Sequence, residues 1–244
     1  MRVDTVAVAG TPPQWARAAP VIAHLSAAGP IALTHSVTAL TGPNGSGKST
    51  LLEAVARAYG FPLTGGTHGA QLPGPRGDLY GSIAITGDPR AKAGYFLRSE
   101  THNGTASSYG EFLRRSHGES ILDATSRFTP EGLYILDEPE AGLSAVSQMA
   151  LLAQLHAIAA AGAQVLMVTH SPILLAVPGA EIFEVRRAPG TGAGSGAGTG
   201  TECVRGVSVE ETIPFRAMRD FLADPAEIAE FMAARAENVF PAQR

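Results

Sequence analysis

The sequence predicts an α/β fold built on a largely parallel sheet, and three observations predict it. Short apolar runs of strand length alternate with helix-period runs along the chain. Two of those runs, GLYILD (132–137) and QVLMVT (164–169), are apolar almost throughout, as strands covered on both faces must be. A glycine-rich turn, GPNGSGKS (42–49), lies between a strand-like run and a helix-like one.

Taken in order, SVTALT (36–41) reads as a strand and KSTLLEAVARAYG (48–60) as the helix after it. Residues 60–79, rich in Gly, Pro and Thr, are expected to form a long loop. SIAIT (82–86) and GYFLR (94–98) read as strands, and GLYILD follows as a buried one. In the next helix Met149, Leu152, Leu155 and Ile158, three apart, are expected to form the core-facing stripe, and Gly162 marks the end. QVLMVT and EIFEVRR (181–187) are further strands. APGTGAGSGAGTGT (188–201) has nothing with which to bury a core, so it is expected to be a flexible connection to a last strand in ECVRGVSV (202–209). The tail, residues 214–240, suggests two amphipathic helices broken near Pro225. Too little chain follows residue 201 for a second domain, so residues 1–244 read as one domain.

Composition narrows the function. With 45% apolar residues and 16% charged, the chain can bury one core of generous size. A net charge of −4 carries no basic excess that would announce nucleic acid or an anionic membrane. The single cysteine, Cys203, cannot form an intramolecular disulfide, which fits a reducing compartment, and it reads as a small apolar strand residue rather than a nucleophile. The N-terminus carries Asp4 and the adjacent Pro12 and Pro13 and lacks a signal-peptide core. The longest apolar stretches, such as MALLAQLHAIAAAG (149–162), have polar breaks and are too short to cross a bilayer. A soluble, cytoplasmic chain is expected, and a membrane role would need a separate partner.

GPNGSGKS fits G-x-x-x-x-G-K-[ST] at every fixed position, after a strand and before a helix. Gly42, Gly45 and Gly47, with Pro43, Asn44 and Ser46 between them, let backbone N–H groups converge on phosphate oxygens that side chains would obstruct. The helix that begins near Lys48 aims its positive end at the same anion. Lys48 is expected to reach the β- and γ-phosphates, Ser49 to ligate Mg²⁺, and Thr50 to sit on the α-phosphate side. GLYILDEPE ends a buried strand in adjacent acids: Asp137 is placed to hold Mg²⁺ and Glu138 to orient or deprotonate the attacking water. QVLMVTHS ends another strand at His170, where α/β sheets bind ligands; a neutral imidazole there would bond the γ-phosphate or the water.

Together, GPNGSGKST, SHGES, LYILDEPE, AGLS and VTHS resemble, in order, the phosphate loop, signature, acidic strand, D-loop and switch histidine of the ATP-binding-cassette (ABC) type ATPases. FLRSE, LDEPEAGLS and THSPILL are similar to the stand-alone ATPases of the AAA-domain-21 kind, soluble chains akin to the repair and chromosome-maintenance ATPases. The resemblance spans about residues 30–235. It implies a P-loop NTPase fold of the ABC type. That fold has a mostly parallel core sheet, antiparallel flanking strands and a short helical signature sub-domain, here residues 99–130. It also implies a head-to-tail homodimer that sandwiches two ATP molecules and opens on hydrolysis.

RRSHGES (114–120) then reads as a variant signature, with Ser116, His117, Gly118 and Glu119 serving the ATP of the other subunit. His117 stands where the family has Gly, and Glu119 where it has Gln. The family's Q-loop glutamine is missing from FLRSE, which leaves Glu100 as a water or Mg²⁺ contact, and Ser144 replaces the D-loop aspartate. Little sequence separates Glu100 from Ser116, so long coiled-coil arms cannot fit and a transporter-type helical sub-domain would be cramped. The expectation is a soluble ATPase that hydrolyses Mg-ATP and acts on a nucleic acid or protein partner, in DNA maintenance or defence. The alternatives at this point are the ATP-binding subunit of a membrane transporter and an ATP-gated dimerisation switch with negligible turnover.

Overall fold

The computed structural model describes residues 2–62, 64–68, 79–88, 93–98, 117–187 and 201–239. Seven strands form the central sheet: β3 (Val37–Thr41), β4 (Gly66–Thr67), β6 (Gly94–Arg98), β7 (Leu133–Asp137), β8 (Gln164–Val168), β9 (Ala180–Arg187) and β10 (Thr201–Arg205). Their order is β10-β9-β3-β8-β7-β6-β4. The five inner strands are mutually parallel, and β10 and β4 flank them antiparallel. That is the fold class expected from the sequence.

A smaller antiparallel sheet, order β2-β1-β5, packs beside it. It is made of β1 (Arg2–Val8), β2 (Ile31–Ala32) and β5 (Ile83–Asp88). SIAIT, expected as a strand, is therefore one, but it pairs with the N-terminal strand rather than in the parallel sheet. The strand at residues 2–8 is not among the elements expected from the sequence. Between β1 and β2 run the short α1 (Gln14–Arg17) and α2 (Pro20–Ala28), and α3 (Lys48–Tyr59) follows β3.

The two buried apolar strands show why they lack polar alternation. Leu133 and Ile135 of β7 pack into one core with Val3, Val6, Ile22, Leu25, Leu52 and Val55, from β1, α2 and α3. Tyr134 and Leu136 point the other way, into a second core. That core is closed by α4 (His117–Ser126), α5 (Ala145–Ala160) and α6 (Pro172–Leu175). A period of two with a core on each side demands apolar residues at every position.

The stripe on α5 differs from expectation. Leu151, Leu155 and Ala159 are its buried residues, while Met149 is 57% exposed and Leu152 and Ile158 are half-buried. A step of three residues falls about 60° short of a full turn, so a row three apart winds off the buried face; a row four apart drifts less. Gly162, with φ 116°, ends the helix as expected. There the Ala163 N–H donates to the Ile158 carbonyl at 3.1 Å.

Other expectations fall partly outside the described residues. Of the signature sub-domain, residues 99–116 are outside, and His117–Ser126 form α4. Ile121 is fully buried, and the Thr125 hydroxyl donates to Gln154 Oε1 of α5 at 2.6 Å. Of the low-complexity stretch, residues 188–200 are outside, and Thr201 opens β10 opposite Arg187. The tail forms α7 (Ile213–Ala223) and α8 (Pro225–Val239), broken at Asp224 as expected. No residue of α7 is buried. Among the described residues no helix is long and apolar enough to cross a membrane. Cys203 sits half-buried in β10, where burial pushes its thiol up to about 11, the opposite of an activated nucleophile.

A buried glutamine joins the two sheets at one end. Gln164, 2% exposed, accepts from the Val3 N–H at 2.7 Å and donates to the Val3 carbonyl at 2.9 Å. It acts as a rung of ladder at the point where the β1–β5 register shifts, between Val3 and Thr5. Gln164→Ala is expected to leave both Val3 groups buried and unpaired, at a cost of about 2–4 kcal/mol in urea denaturation. A loss below about 0.5 kcal/mol would show that the sheets do not depend on this bond.

Candidate functional site

The site lies where β3, β8 and β7 end. After β3 the chain turns through Gly42, whose φ is 133°. A Cβ at that position would run into the carbonyl oxygen of Val185 on β9. Gly47, with φ 89°, is equally constrained, since its Cβ would lie 2.8 Å from Ala19 Cβ. The loop thus keeps Gly42 and Gly47 because two other elements press on it. The Val21 N–H also donates to the Ser46 carbonyl at 3.1 Å, so the start of α2 braces the loop directly. Pro43, Asn44 and Gly45 are exposed at its rim, Ser46 is buried, and Ser49 and Thr50 are half-buried in the first turn of α3.

Lys48, the first residue of α3, is 4% exposed. Its ammonium donates to the carbonyls of Gly42 and Pro43, each at 2.8 Å, and approaches Ser46 Oγ at 3.4 Å. Burial lowers its pKa, and the negative charges of Glu138 and Asp137 oppose that shift. Asp137 is 5% exposed at the end of β7, in register with Val168 of β8 and Arg98 of β6.

Glu138 is, among the described residues, the one non-glycine with positive φ, at 48°. Its N–H donates to the Val168 carbonyl at 2.9 Å, so the ladder is kept while the chain turns sharply. A left-handed glutamate costs on the order of 1 kcal/mol and persists where its surroundings fix it. The turn brings Glu138 Oε1 to 3.8 Å from His170 Nε2. Burial lowers the His170 pKa, Lys48 lowers it further and Glu138 opposes. The fold therefore holds the neutral imidazole at pH 7.

Lys48, Asp137, Glu138 and His170, predicted from three separate motifs, are thus brought together. Ser116 and Glu100 lie outside the described residues, and His117, Gly118 and Glu119 form the first turn of α4. Ser144, at the D-loop position, caps α5 by accepting from the Ser147 N–H at 3.1 Å.

Sequence reasoning missed Glu140, Gln148 and the brace from α2. Glu140 Oε1 accepts from the His170 N–H at 2.6 Å. Burial raises its pKa, and hydrogen bonding opposes the shift, the His170 N–H contributing most. Gln148 Oε1 accepts from Ser171 Oγ at 2.6 Å, while its amide donates to the Leu143 carbonyl at 3.1 Å. The one signal available was the third acid of DEPE, which no metal or general-base role had used.

The Ser49 hydroxyl and Asp137 carboxylate are hard oxygen donors of the kind Mg²⁺ takes when it shares its coordination with phosphate. Among the described residues there is no group of three or more His, Cys, Asp or Glu that could cage a metal unaided, and an ion shared with phosphate needs none. Glycine-walled backbone, a lysine at a helix start and an acid at the end of a neighbouring strand define a P-loop nucleotide-binding protein.

Residues 37–89 and 68–176 match the family model described as "AAA domain, putative AbiEii toxin, Type IV TA system". Together these matches span more than half of the chain, which belongs to this family. Among solved structures the chain is similar to the SMC head domain from Thermotoga maritima, at 14% identity and a TM-score of 0.42, covering 85% of this chain and 100% of that one. No curated protein matches the chain.

Two outcomes are expected. Lys48→Ala removes the one buried ammonium of the loop and is expected to weaken ATP binding at least about 100-fold by calorimetry, some 3 kcal/mol. Affinity within about threefold of wild type would contradict the loop assignment. His170 has a folded pKa below its ordinary value of about 6.5, so the fold favours the neutral form. Stability is then lost as pH falls below about 6.5 and through the folded value. The thermal midpoint is expected to drop less on acidification in His170→Gln than in wild type, and equal slopes would count against this.

Proposed function

We propose that the protein is a Mg-ATP-dependent ATPase working as a head-to-tail homodimer. The observation that carries this reading is the convergence of Lys48, Asp137, Glu138 and His170 beside the start of α3. The triphosphate lies on the backbone N–H groups of residues 44–49, at the positive end of α3. Lys48 exchanges its bonds to the Gly42 and Pro43 carbonyls for oxygens of the β- and γ-phosphates. Thr50 serves the α-phosphate side. Ser49 and Asp137 would hold Mg²⁺, with Glu100 as a further contact; the ion, when bound, offsets charge on the β- and γ-phosphates. Glu138 takes the proton from the attacking water, and neutral His170 holds that water or a γ-phosphate oxygen.

The second subunit supplies Ser116, His117, Gly118 and Glu119 across the interface, the last three in the first turn of α4. Hydrolysis removes the charge that holds the halves together, and the dimer opens. The load is a macromolecular partner, in defence or DNA maintenance. The family description, with its toxin and toxin–antitoxin terms, supports the defence reading. The lone Cys203 fits action in a reducing cytoplasm.

Glu138→Gln removes the general base and leaves the nucleotide site intact. It is expected to slow phosphate release by about 100-fold or more and to accumulate an ATP-bound dimer. Light scattering after size exclusion in Mg-ATP reads the mass. Monomer alone at saturating ATP would defeat the sandwich.

A further inference from the structure

We propose that Glu140 is a positioning residue for hydrolysis, setting the His170 imidazole against Glu138 by holding the His170 backbone. The inference rests on the ATPase reading above and names a residue to which that mechanism gives no role. The sheet explains the need. At the end of β8 the Thr169 N–H still donates to the Leu40 carbonyl of β3, at 3.1 Å. The next N–H, of His170, lies past the last ladder bond and is taken by Glu140 Oε1 at 2.6 Å. The chain then turns away into α6, which Ser171 caps by accepting from the N–H groups of Ile173 and Leu174, both at 3.2 Å.

The turn that carries Glu140 also carries Glu138. Its shape is locked by the Ala141 N–H on the Glu138 carbonyl at 3.0 Å and the Leu143 N–H on the Glu140 carbonyl at 2.9 Å. Two carboxylates on one rigid turn therefore meet one histidine at two points: Glu138 faces its ring at 3.8 Å and Glu140 holds its backbone. The same turn is tied to the next residue of the switch segment, because Gln148 bridges the Leu143 carbonyl and Ser171 Oγ. Fixing His170 from the general-base turn, rather than from the sheet alone, makes the Glu138–His170 separation a local quantity. A shift of about 1 Å in such a pair is worth up to about 100-fold in rate.

The test uses the full chain. Glu140→Ala is expected to lower kcat about 10-fold or more while the ATP dissociation constant stays within about threefold, the pattern of a lost transition-state contact. Glu140→Gln keeps an oxygen that can accept from the His170 N–H and is expected to recover most of that loss. In a double-mutant cycle, Glu140→Ala added to His170→Ala is expected to cost nothing further, because Glu140 acts through His170.

A second readout needs no turnover. The ring signals of His170 in ¹³C-histidine-labelled protein, assigned by their absence in His170→Ala, are expected to shift or broaden in Glu140→Ala and to return in Glu140→Gln. Unchanged His170 signals in a folded Glu140→Ala protein, or full additivity with His170→Ala, would overturn the proposal. If wild type releases no phosphate but the ring signals respond as expected, the ATPase reading fails, and with it the link to hydrolysis, while the holding of His170 by Glu140 stands.

Discussion

The phosphate site depends on a backbone loop walled so closely at two positions that only glycine fits there. Gly42 meets the Val185 carbonyl and Gly47 meets Ala19. Neither wall belongs to the strand–loop–helix unit that carries the motif. One is β9, the parallel neighbour of β3, and the other is the start of α2, which also donates from Val21 to the Ser46 carbonyl. A backbone that must offer its N–H groups to an anion cannot satisfy them internally. Its shape has to come from outside, through contacts to its Cα atoms and carbonyls.

The buried charge follows the same logic. Lys48 is nearly inaccessible, and its desolvation is opposed by Glu138 and Asp137, the acids that end β7. An ammonium buried alone would be far costlier. Its hydrogen bonds to two loop carbonyls complete the compensation within the loop itself. The same two acids that serve a metal and a water in the proposed reaction thus also oppose the desolvation of the lysine. The left-handed Glu138 is the local strain this arrangement tolerates, held by its N–H on the Val168 carbonyl.

The legible parts of the chain were those where one residue type has one physical use. GPNGSGKS could be read because glycine, lysine and serine at that spacing serve an anion and little else. β7 and β8 could be read because two-sided burial forbids polar alternation, and their ends then located Asp137, Glu138 and His170. The α5 stripe was misread because every third position from Met149 is apolar, yet so are Leu151 and Ala159, and an apolar-rich helix does not declare its face. The N-terminal strand went unassigned because its pairing with β5 spans about eighty residues, and its burial pattern is weak, with only Val3 and Val6 buried. Glu140 was hidden for another reason. Its partner is a backbone N–H, and every residue but proline offers one.

The small sheet is more than a cover for the core. It carries α1 and α2 between β1 and β2, so whatever fixes its position on the central sheet also fixes the brace on the phosphate loop. Gln164 joins the two sheets at one end through Val3. At another point the Arg205 guanidinium of β10 bonds both Glu181 of β9 and, at 2.9 Å, the Ala32 carbonyl of β2. Glu181 is buried, and His35, just past β2, adds a contact at 3.2 Å. Polar ties between layers are directional in a way that apolar packing is not. They tie the small sheet to the central one, and with it the chain segment whose Ala19 approaches Gly47. The geometry of the phosphate loop is therefore fixed by residues far from it in the sequence, which is why the motif announces the chemistry without describing the structure that supports it.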